Sequence, residues 1–134
     1  MTDDQHSSSQ KPPRVLIIES DFLIAEMIQD MVDDLGYIVS RTVHHLPSAL
    51  EELKKENFDT VLVNVGIDQE KHGTEIAEIL ADMGVPFAFV TGYPHSLSGR
   101  HANTPLLQKP FSKYQLRELL DKLVGPSGAP QTNR

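Results

Sequence analysis

The chain has 134 residues, 39% of them apolar and 23% charged, a length and composition for one globular domain with its own core. Twelve basic against nineteen acidic side chains leave a net charge of −7, which argues against phosphate-driven nucleic-acid binding. With no cysteine, a disulfide scaffold, a thiolate zinc site, an iron–sulfur cluster and a cysteine nucleophile are excluded. The apolar runs over 15–18 and 85–90 fall far short of the roughly 20 residues a membrane span needs. The first ten residues carry Asp3 and Asp4 and no apolar stretch, so they do not read as a secretory signal, and a cytoplasmic protein is expected.

Residues 1–13, polar and ending in Pro12-Pro13, read as a flexible N-terminal tail. Residues 14–123 form the expected domain, and 124–134, rich in Gly, Pro and Ser, a flexible C-terminal tail too short for an output domain. Within the domain, 15–18 is a buried-strand signal. Ile24, Ile28, Met31, Val32 and Leu35 then recur at helical spacing, and Gly36 stands where a left-handed helix end is wanted. Residues 37–41 predict a second strand. Pro47 opens a second helix with Leu46, Leu50 and Leu53 on one face. Residues 60–63 are a third strand, and Ile76, Ile79, Leu80 and Met83 mark a third helix closed by Gly84. Residues 85–90 are a fourth strand and 105–108 a weak fifth. Ser112 is a candidate N-cap for a last helix burying Leu116, Leu119, Leu120 and Leu123. The segment between the fourth and fifth strands is polar and weakly periodic, so a helix there is expected to be short, irregular or absent.

Strand–helix alternation at this pace predicts an α/β domain with a doubly wound, mostly parallel five-stranded sheet. Such sheets gather their sites at the carboxyl ends of the strands. The informative residues are therefore Glu19-Ser20-Asp21, residues 64–66, Thr91-Gly92-Tyr93 and Lys109-Pro110-Phe111. No pair among the six histidines has a convincing metal spacing, and no Gly-x-Ser-x-Gly elbow suggests a hydrolase. The acidic, glycine-free turn after the first strand would repel a flavin phosphate.

Together VLIIESD, VLVNVG, FVTGYP and LLQKPF, in this order and each at a strand end, resemble a response-regulator receiver domain. The stretch Phe89-Val90-Thr91-Gly92-Tyr93 is similar to that of single-domain receivers with a F-A-T-G-Y-like motif. The resemblance implies a flavodoxin-like fold, a cis bond before Pro110 and a role in two-component phosphorelay signalling. In that family an aspartate ending the third strand accepts a phosphoryl group. Two acids after the first strand help bind magnesium, and a Ser/Thr and a Lys contact the phosphoryl oxygens. Here Asn64 stands at the acceptor position, and the acid pair is Glu19 followed by Ser20. Asp21 is assigned to the helix N-terminus instead. Thr91 and Lys109 keep the phosphoryl-contact positions, while Leu106 replaces the usual aromatic switch.

Asn64 brings neither nucleophile nor charge, so the expected pocket sums to about zero with Glu19 and Lys109, which can pair directly. Magnesium binding is expected to be weak or absent, with Glu19 and the Gly66 carbonyl as the remaining weak ligands. The resemblance thus implies an atypical, non-enzymatic single-domain response regulator with a degenerate site. It would work by contact with a histidine kinase, a phosphotransfer protein or another regulator, without membrane or nucleic acid. The alternatives are a phosphorylatable receiver, in which Asn64 is engineered or another residue accepts the phosphoryl group, and an oligomeric scaffold with no kinase partner. Asn64 as a plain loop cap is the bland reading. Tyr93, Phe111 and Tyr114 are expected on an exposed edge that serves a homodimer or a kinase contact.

Overall fold

The computed structural model describes residues 11–64, 72–92 and 103–125. The elements follow as β1 (Arg14–Ile18), α1 (Phe22–Asp34), β2 (Ile38–Val43), α2 (Leu46–Lys55), β3 (Thr60–Asn64), α3 (His72–Met83), β4 (Phe87–Thr91), β5 (Leu106–Gln108) and α4 (Lys113–Val124). The five strands form one parallel sheet in the order β2-β1-β3-β4-β5. This is the predicted doubly wound α/β architecture.

Alternation along each strand sends its side chains to two separate cores. Leu16, Ile18, Val61, Val63, Phe87 and Phe89 meet Ala49 and Leu53 of α2 and Ile76, Ala77 and Leu80 of α3 on one face. Val15, Ile17, Leu62, Ala88, Val90 and Leu107 meet Ile28 and Val32 of α1 and Leu116, Leu119 and Leu120 of α4 on the other. Because both faces are covered, the inner strands β1, β3 and β4 read as near-continuous apolar runs rather than as alternating ones.

Local chemistry sets the helix ends. Asp21 caps α1, its side chain accepting from the amides of Leu23 and Ile24 at 2.9 and 3.1 Å. Gly36 leaves α1 at φ 92° and Gly84 leaves α3 at φ 74°, the left-handed turns that glycine makes without a Cβ penalty. Ser112 and Gln115 form a reciprocal capping box at the start of α4.

Two strands, β2 and β4, differ most from the pattern-based expectation. β2 starts at Ile38 and runs to Val43, so Tyr37 precedes it. Tyr37 is buried because its hydroxyl serves the end of α4, donating toward Asp121 Oδ1 at 2.8 Å and the Gly125 carbonyl at 3.1 Å. Pairing of β1 with β2 skips one residue: Val15 faces Val39, whereas Leu16 faces Arg41, leaving Ser40 extra in β2. β4 begins at Phe87, after Pro86, whose missing N–H suits it to a strand entrance. Most of the segment expected to hold a short or irregular helix, 91–104, lies outside the described residues, as do most of both expected tails.

Candidate functional site

Parallel strands end on the same side, and the order of this sheet reverses between β1 and β3. Ile18 and Val63 are register partners, so the residues that follow them, Glu19 and Asn64, leave the sheet side by side. Thr91 ends β4, and Lys109 follows β5. The Lys109 amide donates to the Thr91 carbonyl at 2.7 Å, which ties these two strand ends together, and the Lys109–Pro110 bond is cis, as the resemblance implied.

Glu19 is the centre of the arrangement, with only 1% of its surface exposed. Its amide donates to the Val43 carbonyl at 3.0 Å, anchoring it to the end of β2. Its carboxylate faces three groups. Oε2 accepts from Asn64 Nδ2 and from the Asp21 amide, each at 3.1 Å. Oε1 lies 2.9 Å from the Lys109 ammonium. That contact is an ion pair, since among the described residues no donor reaches Oε1 with hydrogen-bond geometry. Asn64 Nδ2 also donates to Ser20 Oγ at 3.3 Å. Thr91 is buried beside them at the end of β4.

The structure therefore brings Glu19, Ser20, Asn64 and Lys109 into direct contact. One carboxylate against one ammonium leaves no net charge. Among the described residues no group of three or more His, Asp or Glu side chains could hold a metal ion. Magnesium requires octahedral oxygen ligation, and the one carboxylate present is already ion-paired to Lys109.

Sequence reasoning missed one neighbour. His44, the first residue after β2, places Nδ1 2.9 Å from the Glu19 carbonyl, and since a carbonyl only accepts, Nδ1 carries the proton. Its ring sits 4.0 Å from that of Phe22, centroid to centroid. The signal was positional: β2 adjoins β1, so its carboxyl end borders the same site as the other strand ends.

Of the expected interface residues, Tyr93 lies outside the described residues, as does the weak ligand Gly66. Phe111 is a correction. It is 7% exposed and belongs to the core between the sheet and α1 and α4, not to an exposed edge. The ring gains more from burial beside Leu107 and Leu116 than a surface position would give, about 1.5–3 kcal/mol for a side chain of this kind. Tyr114 is exposed, and its hydroxyl donates to Glu118 Oε2 at 2.8 Å. That hydrogen bond, with the charge of the same carboxylate, holds the phenol above its ordinary value of 10.0.

A comparison with protein families matches residues 15–121 to the response regulator receiver domain, and the chain belongs to that family. It is a receiver domain of response-regulator type, the class of domain that serves two-component signalling. Among solved structures it is similar to the PhyR receiver domain of Erythrobacter litoralis, at 31% identity over 92% of this chain and 98% of that one, with a TM-score of 0.76. It is similar also to SdrG of Sphingomonas melonis Fr1, at 32% identity over 84% and 96% of the two chains, with a TM-score of 0.74. Against PhyR of Brucella abortus the identity is 32% and the TM-score 0.74, over 85% of this chain but 48% of that one, so the chain spans about half of that protein. No curated protein matches. Among the described residues no helix is long and apolar enough to cross a membrane.

Proposed function

We propose that this chain is an atypical response-regulator receiver of the cytoplasm. It acts by protein contact, is not an enzyme and accepts no phosphoryl group at residue 64. The observation that carries this reading is the amide of Asn64 at the acceptor position, hydrogen-bonded to Glu19 and Ser20 while Lys109 is ion-paired to Glu19. An amide is no nucleophile toward a phosphohistidine. The lysine that resembles the phosphoryl-binding lysine of the family already has its counter-charge, and magnesium is neither held nor needed.

Contact requires a face, and α1 supplies one next to the site. Phe22 is 65% and Leu23 77% exposed, with Met27 one turn further on. Large apolar side chains grouped at one end of a helix mark a surface for a partner, here a histidine kinase, a phosphotransfer protein or another response regulator. A PhyR of Bartonella quintana, 28% identical, is described as an anti-anti-sigma factor, but this chain covers only 52% of it, so that activity is not transferred.

Incubation with acetyl phosphate and magnesium tests the reading by intact-mass spectrometry. The mass is expected to stay unchanged, and a stable gain of one phosphoryl group would establish the phosphorylatable alternative. Asn64→Asp alone is expected to phosphorylate poorly, because Ser20 leaves the metal site one acid short, and Ser20→Asp combined with it should do better than either change alone. Self-association is part of the same reading. Light scattering at low micromolar concentration is expected to show a dimer, and a clean monomer across that range would leave the exposed faces to other proteins.

A further inference from the structure

We infer that the Asn64 amide is a cross-brace that holds the end of β3 to the turn between β1 and α1 without any cation. The inference rests on the reading of residue 64 as a former acceptor position and says what the amide does in its place.

β1 and β3 are hydrogen-bonded neighbours, so residues 19 and 64 are forced together whatever their chemistry. Acids at both positions would set two carboxylates at contact distance, which cannot both stay ionised unless a positive charge lies between them. Here the pair is one acid and one amide. Asn64 Nδ2 has two protons, and two acceptors meet it: Glu19 Oε2 at 3.1 Å and Ser20 Oγ at 3.3 Å. These are the two residues that immediately follow β1. The other oxygen of Glu19 takes the Lys109 ammonium from the end of β5. Three strand ends are thus joined, and the buried carboxylate is balanced without a metal. The two departures from the family pattern read as one consistent set with the acid that is kept. Asn64 supplies the donor, Ser20 supplies a neutral acceptor, and Glu19 reaches both the amide and the lysine.

The brace makes the geometry of this end of the sheet independent of divalent cations. An aspartate at position 64 would turn the donor into a second acceptor and create a demand for a cation that the native chain lacks.

The test is the thermal midpoint of the full chain, measured with EDTA and with excess magnesium chloride, for the native protein, Asn64→Ala and Asn64→Asp. The native midpoint is expected to be the same in both buffers. Asn64→Ala should melt about 5 °C lower in both, since a buried carboxylate loses a donor and no cation site is gained. Asn64→Asp should melt lower still in EDTA and regain at least half of its loss with magnesium. A native midpoint that rises with magnesium would overturn the inference, as would Asn64→Asp matching the native protein in EDTA. Should Asn64→Asp fail to fold, Asn64→Ala decides alone: an unchanged midpoint removes the brace. None of these outcomes depends on whether the native chain gains mass from acetyl phosphate, so the brace and the phosphorylation reading fail separately.

Discussion

Replacing Lys109 with alanine is expected to cost about 3 kcal/mol of unfolding free energy, the lower end of the range of about 3–5 kcal/mol for breaking a buried ion pair. The two partners differ in exposure, and that sets the magnitude. The Glu19 side chain is almost wholly enclosed, whereas 17% of the Lys109 side chain remains accessible. Removing the lysine leaves a buried carboxylate supported by Asn64 and the Asp21 amide alone. Partial access of water at the vacated position keeps the loss from reaching the top of the range. Urea denaturation with an unchanged slope and a lowered midpoint checks this. Adding Glu19→Gln to Lys109→Ala should recover part of the loss, because the uncompensated charge is then gone. An unmoved midpoint in Lys109→Ala would mean that the pair is solvated and contributes nothing.

Phe89→Ala is expected to cost about as much or more, roughly 3–5 kcal/mol. Phe89 is fully buried in the middle of β4, in the core shared with α2 and α3. Its ring meets that of Phe87 edge-on, 5.7 Å between centroids and 87° between planes, a favoured aromatic geometry. Truncation would leave a cavity lined by residues on both the sheet and the helices, which cannot collapse without moving strands. Set against a total stability of about 5–15 kcal/mol, the loss is large enough to appear at once in a denaturation midpoint. A cost below about 1 kcal/mol would show that the face closes over the gap. Phe89 lies two residues before Thr91 on the same strand, so the variant should also loosen the strand end that carries that hydroxyl.

The central strands and the capped helices could be read from the residues, because burial on both faces forces long apolar runs and because Asp21, Gly36, Gly84 and Ser112 mark helix ends by known local chemistry. β2 was harder. As an edge strand it mixes Ile38, Ser40, Arg41 and Thr42, and its pattern does not separate it from the buried Tyr37 just before it. The site was legible through four motifs placed at strand ends, and the contacts among Glu19, Asn64 and Lys109 follow from the parallel register. His44 was not, because no pattern within β2 ties its last neighbour to a carbonyl 25 residues earlier; only the lateral order of strands does. Phe111 was misjudged for a related reason. An aromatic at a strand-to-helix junction can turn inward or outward, and the choice depends on the space left by Leu107 and Leu116, which sequence spacing does not reveal.

The extra residue at Ser40 bears on how the molecule behaves in a crowded solution. β2 is the longer of the two outer strands, and an outer strand is a template on which a further chain can hydrogen-bond. A bulge disturbs the even spacing of backbone donors and acceptors that such growth requires, and Arg41, exposed at that very step and paired with Glu52 at 3.8 Å, keeps a charged side chain on the edge. The chain can therefore accumulate with an apolar helix face open to its partners while its sheet resists being extended into a fibre.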